Sequence, residues 1–137
     1  MILRAGMVAA ALALSACAMG LQAARPFDDQ AVQKLYNLTT PEYYATTGLG
    51  SLIAQKCARY TYDSVLDVQV NEKRNEVGRG SLSAMALRDA IDLETDVTKR
   101  SFAAKHGVDM DAADDLCAAA DGEMLEGSAL SAVLIPV

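Results

Sequence analysis

The chain has 137 residues, enough for one domain, and 18 acidic against 12 basic side chains leave it at a net charge of −6. That balance argues against a nucleic-acid binder, whose affinity comes largely from cations set on phosphates. One histidine and three cysteines leave little material for a metal centre or a nucleophile–base pair.

At the front, MILRAGMVAAALAL places one basic residue, Arg4, before an apolar run from Ala5 to Leu14. A charged start, an apolar middle and a small-residue exit form an export signal, which predicts that residues 1–16 are removed. The run is too short to span a bilayer, which takes about 20 apolar residues. Two exits are open. Leu14-Ser15-Ala16-Cys17 has the form of a bacterial lipobox, in which Cys17 becomes the lipid-bearing first residue. Ala16-Cys17-Ala18 also fits an ordinary A-x-A site that discards the cysteine, and cleavage near Ala24 is a third variant. The lipobox reading is preferred because it follows the apolar run directly. It places the protein in the periplasm, held to the outer membrane by lipid; the other exits make it free in the periplasm or secreted.

Cysteine arithmetic agrees with export. With Cys17 lipidated or lost, Cys57 and Cys117 remain, an even pair that predicts one disulfide in an oxidising compartment. Neither belongs to a C-x-x-C. Without Arg4, 18 acids stand against 11 bases, and after Lys105 no basic side chain but His106 occurs. The acidic excess therefore sits in the last quarter.

Residues 17–39 read as a tether, broken by Arg25-Pro26, with a possible short helix from Asp28 to Leu38 capped by Asp28 or Asp29. Thr40-Pro41-Glu42 predicts a helix start, with Thr40 as the cap and proline in the first turn; the helix runs to about Arg59. Gly48 and Gly50 weaken it and suggest that a second helix approaches closely. Residues 61–76 fit a helical stripe through Tyr62, Val65, Leu66 and Val70, while Val68-Gln69-Val70 suits a strand; length and the charged run from Glu72 favour helix. Gly78-Arg79-Gly80 marks a loop.

Ser83 reads as the cap of the clearest helix, which stops at Gly107. Its apolar stripe is Leu87, Ala90-Ile91, Leu93, Val97, Phe102 and Ala104. Acids come early and bases late, as the helix dipole favours. Asp109 or Asp111 then caps a last helix from Ala112 to about Leu125, extending through Leu134 if the apolar tail continues it. The stripe Ala113, Leu116-Cys117, Ala120, Met124 carries the second cysteine. Facing helices would join Cys57 to Cys117. The predicted fold is all-α: a bundle of about four helices over residues 40–137, stapled by one disulfide.

Candidate chemistry is sparse. Asp109-x-Asp111 with Asp114 and Asp115 resembles a calcium loop, but positions five, six and twelve hold Ala113, Asp114 and Ala120, so it fails as an EF-hand. No Ser/His/Asp set or G-x-S-x-G occurs, and His106 reads as a last-turn residue that favours the helix dipole. Tyr43, Tyr44, Tyr60 and Tyr62 read as the bulky filling of an alanine-rich core. No enzyme, cofactor or metal is expected.

Several residues of the second half carry a resemblance. "LIAQKC" ends at Cys57, Gly107-Val108 stops a helix, and Cys117 is followed by Glu123, Gly127, Ser128, Leu130 and Val133-Leu134. Over about residues 45–135 this is similar to a small family of exported alphaproteobacterial proteins known only as a domain of unknown function. It departs where that family has a glycine three residues after the cysteine, here Ala120, and in the longer tether and lipobox. The resemblance implies an all-helical fold with a Cys57–Cys117 bridge and no activity. It singles out Glu123, expected to pair with Lys56 or Arg59 or to contact a partner.

Two functional expectations follow. The first is a non-enzymatic exported or lipid-anchored module binding a protein partner in the envelope, steered by the acidic C-terminal quarter. The second is an acid- or stress-responsive periplasmic chaperone or inhibitor that exposes apolar surface when its acids are neutralised.

Overall fold

The computed structural model describes residues 22–137; the signal over 1–16 and the lipobox cysteine Cys17 lie outside them. Helices dominate: α1 (Gln30–Tyr36), α2 (Thr40–Lys56), α3 (Ser64–Glu76), α4 (Ser81–Ala86), α5 (Arg88–His106) and α6 (Ala113–Glu126). A strand β1 (Tyr60–Tyr62) follows α2, and after α6 come a 3₁₀ turn (Leu130–Val133) and a strand β2 (Leu134–Pro136). The all-α, disulfide-stapled fold expected from the sequence is present.

Helix α2 lies between two cores. On one side Leu49, Ile53 and Cys57 pack with Phe102 of α5, Leu116, Cys117 and Ala120 of α6, and Leu130. On the other, Tyr43 packs with Val32 and Leu35 of α1, Leu66 and Val70 of α3, and Val133. A helix buried on two sides needs apolar residues all round rather than one stripe, which is why its periodicity reads weakly. Cys57, at the C-cap of α2, and Cys117 of α6 form the disulfide, 60 residues apart in sequence. Among the described residues no helix is long and apolar enough to cross a membrane. The disulfide suggests an oxidising, extracytoplasmic compartment.

Local chemistry moves several predicted boundaries. Thr39, not Thr40, caps α2: its hydroxyl accepts from the Glu42 N–H while the Glu42 carboxylate accepts from the Thr39 N–H at 2.9 Å. Glu42 stands three residues after Thr39, so the reciprocal box selects that threonine. Asp29 caps α1, accepting from the Ala31 N–H at 2.8 Å. Residues Ser64–Glu76 form helix α3 with Val68-Gln69-Val70 inside it, so the helical reading holds there; the strand lies earlier, at Tyr60-Thr61-Tyr62 (β1), and Asp63 then caps α3 through the Leu66 N–H at 2.9 Å. The other Asp63 oxygen accepts from the Ala24 N–H at 2.8 Å and ties the N-terminal stretch to this corner.

Ser83 is not a cap. The helix it was expected to open is two, α4 and α5, meeting at Leu87, and the Ser83 hydroxyl donates to the Gly78 carbonyl at 2.5 Å. Nor do Asp109 and Asp111 cap α6, whose N-cap is Ala112 with no side-chain bond. Asp109 accepts from the Asp111 N–H at 2.9 Å, and Asp115 accepts from the Asp109 N–H at 3.2 Å, so these acids close the loop. Helix α6 does not run on to Leu134: Gly127 takes left-handed φ of 59° and ends it. The tail then pairs antiparallel with β1, Tyr60 opposite Pro136 and Tyr62 opposite Leu134.

Of the two α2 glycines, only Gly50 meets a neighbour. A Cβ there would stand 2.6 Å from the Val133 side chain, whereas at Gly48 nothing lies within 4 Å. Gly50 lets the 3₁₀ turn, rather than another long helix, close onto α2.

Candidate functional site

Helix α5 faces inward with Ile91, Thr95, Thr98 and Phe102, and of these only Phe102 is fully buried. The expected stripe is therefore mostly wrong in direction. Leu87, Ala90, Leu93, Val97 and Ala104 are exposed, Leu93 to 68%. Threonines fill the inward turns because α2 offers them a close helix surface, with Thr95 donating back to the Ile91 carbonyl at 2.7 Å.

The C-terminal end of α5 is locked to α6 through Glu123. This carboxylate is only 5% exposed. Its Oε1 accepts from Lys105 Nζ at 2.8 Å and lies 2.7 Å from His106 Nε2, while Lys105 also reaches Glu126 at 2.6 Å. Burial pushes the Glu123 carboxyl up, but hydrogen bonds from Lys105, Ser128 and His106 outweigh it and hold it below the ordinary carboxylate value. The same bonds, to Glu123 first and then Glu126, raise the Lys105 ammonium. The Phe102 and His106 rings stack with centroids 4.8 Å apart. Gly122 leaves room for the imidazole, since a Cβ there would come within 3.2 Å of His106 Cε1.

The partners expected for Glu123 are elsewhere. Lys56 pairs with Asp111 at 3.2 Å and Arg59 with Asp121 at 2.8 Å, so Lys56 ties the end of α2 to the loop before α6 and Arg59 ties the loop after α2 to α6 itself. Lys105 and Glu123 are 18 residues apart, and only the fold of the 107–112 connection brings the second half of α6 to the end of α5, so local spacing held no signal for the pair.

Beside this knot a cleft of about 330 Å³ opens between α2, α5 and the segment after α6. Leu49, Val97, Phe102 and Leu130 form its apolar lining; Glu94, Lys105 and Glu123 supply its charges. Glu94 is met by the Thr98 hydroxyl at 3.4 Å. With Lys105 already shared between Glu123 and Glu126, the cleft mouth is acidic in balance. Such a cleft suits a side chain with an apolar stem and a cationic head.

The tyrosines fill the cores as expected and each finds an acceptor. Tyr43 and Tyr62 both donate to Asp67, Tyr60 to Asp121 at 2.6 Å and Tyr44 to Asn71 at 3.4 Å. Burial and the Asp121 carboxylate push the Tyr60 hydroxyl up to about 12. Arg74 was not foreseen. It is fully buried, donates to the Tyr36 and Leu38 carbonyls at 2.7 and 2.8 Å, and lies 4.4 Å over the Tyr43 ring. It ties α3 to the α1–α2 turn without a carboxylate partner, and burial lowers its pKa.

Among the described residues no group of three or more His, Cys, Asp and Glu is placed to hold a metal ion. No protein-family model, curated protein or solved structure matches the chain.

Proposed function

We propose that this is a non-enzymatic, exported protein of the cell envelope, anchored by lipid on Cys17, that binds a basic protein partner. The observation that carries the reading is the cleft beside Glu123, with an apolar lining of Leu49, Val97, Phe102 and Leu130 and the acids Glu94 and Glu123 against Lys105. The acidic residues after Lys105 add a long-range field that draws a basic partner and that salt screens. Lipidation rests on the Leu14–Cys17 pattern, and export on that pattern, the disulfide and the resemblance to exported helical proteins.

Two measurements test it. Intact mass of the protein made with its own signal in a bacterial host should give a membrane-bound species starting at Cys17 with added acyl groups. A soluble species starting at Met19 or Arg25 overturns the anchor. For the partner, a photo-crosslinking residue in place of Thr46, at the cleft, should capture a basic envelope protein at low salt. Capture should fall at high salt and with Glu94→Lys; an adduct indifferent to both, or none, overturns the binding site.

The second reading, an acid-responsive chaperone, draws on Glu123. Acid would neutralise the carboxylate that holds α5 to α6 and loosen apolar surface around Phe102. Its check is protection of an aggregating client, which should rise on acidification and not in Glu123→Gln.

A further inference from the structure

We propose that the outward face of α5 is a self-association surface, on which a second copy of this chain lays its own α5 antiparallel. This surface adjoins the cleft: Val97 borders both, while Ala90, Leu93 and Ala104 lie outside the cleft lining.

The outward face has the right shape. At about 100° per residue, Ala90, Leu93, Val97 and Ala104 fall within about 60° of arc. All four are exposed. Their spacing of three, four and seven residues is that of a helix–helix seam. The inward turns are already taken by α2, and among the described residues the stripe stays exposed. The neighbouring α4 adds Leu82 and Met85, exposed to 81% and 77%.

Charge selects the occupant. From Arg88 to Asp96 the helix carries four acids, Asp89, Asp92, Glu94 and Asp96, against Arg88; from Val97 to His106 it carries Lys99, Arg100 and Lys105 and no acid, with Arg100 also paired to Asp96 and Lys105 to Glu123 and Glu126. The two halves of one helix are thus opposite in sign. A parallel copy sets like charges against like. An antiparallel copy sets each acidic half on the other's basic half, with the axis near Val97, and a two-fold interface requires such self-complementarity. The helix is about 28 Å long, so the charged halves lie within reach of the facing copy along its whole length.

Sedimentation of the purified protein across a concentration series tests this. The protein should show a monomer–dimer equilibrium that weakens with salt. Asp89→Lys with Asp92→Lys turns the first half from a net −3 to +1; Lys99→Glu with Arg100→Glu turns the second half from +3 to −1. Each variant alone should self-associate about ten-fold or more weakly, and mixing the two should restore a dimer. All four positions are on the helix surface, and unchanged circular dichroism confirms the fold. Orientation is read with cysteines: Val97→Cys, near the axis, should form a linked dimer on mild oxidation, while Ala104→Cys should not link to itself. A protein that stays monomeric at its highest soluble concentration overturns the proposal, as does a dimer indifferent to both reversals. Efficient self-linking through Ala104→Cys overturns the antiparallel arrangement.

Discussion

The Cys57–Cys117 corner and the α4–α5 arm are built from similar material and end differently. Both are helical, alanine-rich and amphipathic by sequence. At the corner Ile53, Leu116, Ala120 and Phe102 are buried around the disulfide, and three cations are paired across elements: Lys56 with Asp111, Arg59 with Asp121, Lys105 with Glu123. Along the arm Leu82, Met85, Leu93 and Val97 stand in solvent. An apolar stripe becomes core only where a second surface is within reach, and α5 reaches α2 with just one of its faces. Stability should be concentrated at the corner and association along the arm.

The largest expected effect breaks the corner. Cys57→Ser with Cys117→Ser releases a 60-residue closed loop, a loss of about 4 kcal/mol by loop entropy. Thermal unfolding should report this as a fall in Tm on the order of 15 °C. Should Tm barely move, the packing there would be sufficient without the bridge.

Next comes a matched pair on α5 itself. Phe102→Ala empties a buried site and should destabilise by about 3 kcal/mol in urea unfolding. Leu93→Ala, nine residues earlier on the outward face, should stay within about 0.5 kcal/mol. Equal effects would erase the distinction between the two faces.

The glycines of α2 sharpen the same contrast within one helix. Gly50→Ala drives a Cβ to 2.6 Å from a buried Val133 methyl, an overpacking that should cost about 2 kcal/mol. Gly48→Ala meets open space and should stabilise by about 0.5–1 kcal/mol through helix propensity. Denaturation midpoints of the two variants should move in opposite directions.

The smallest effect is the pH dependence of the corner. Glu123 titrates below its ordinary value of 4.5 when folded, so its contribution is complete above that pH and drains as pH falls through the folded value. Asp121, held low by the Tyr60 hydroxyl and Arg59, acts in the same sense. Tyr60, raised to about 12, and Lys105, also raised, stabilise fully below pH 10 and lose that contribution as pH climbs toward 12. Unfolding free energies should therefore fall on both limbs; Glu123→Gln should flatten the acid limb and, by removing the first cause of the raised Lys105, soften the alkaline limb as well.

The sequence by itself determined the helical class, the pairing of the two late cysteines, the stop at Gly107, and the tyrosine-filled core. These rest on local chemistry: a left-handed glycine ends a helix wherever it stands, and an even cysteine count leaves one bridge. The cap at Thr39 was equally local, written in the threonine-to-glutamate spacing but assigned one residue too far along. Tertiary structure alone decided the rest. Which face of α5 turns inward depends on α2, whose own two-sided burial hides its periodicity. Glu123 found Lys105 and His106 rather than Lys56 because the 107–112 connection folds the chain back so that the second half of α6 meets the end of α5. Val133 to Val137 became an inner turn and a strand because Gly127 freed the tail and β1 offered unpaired backbone. The buried Arg74 was invisible as well, since only the fold brings two carbonyls and an aromatic ring to one guanidinium. The cleft and the outward stripe follow from the same fact: side-chain pattern says what can be buried, and only the assembled neighbours decide what is.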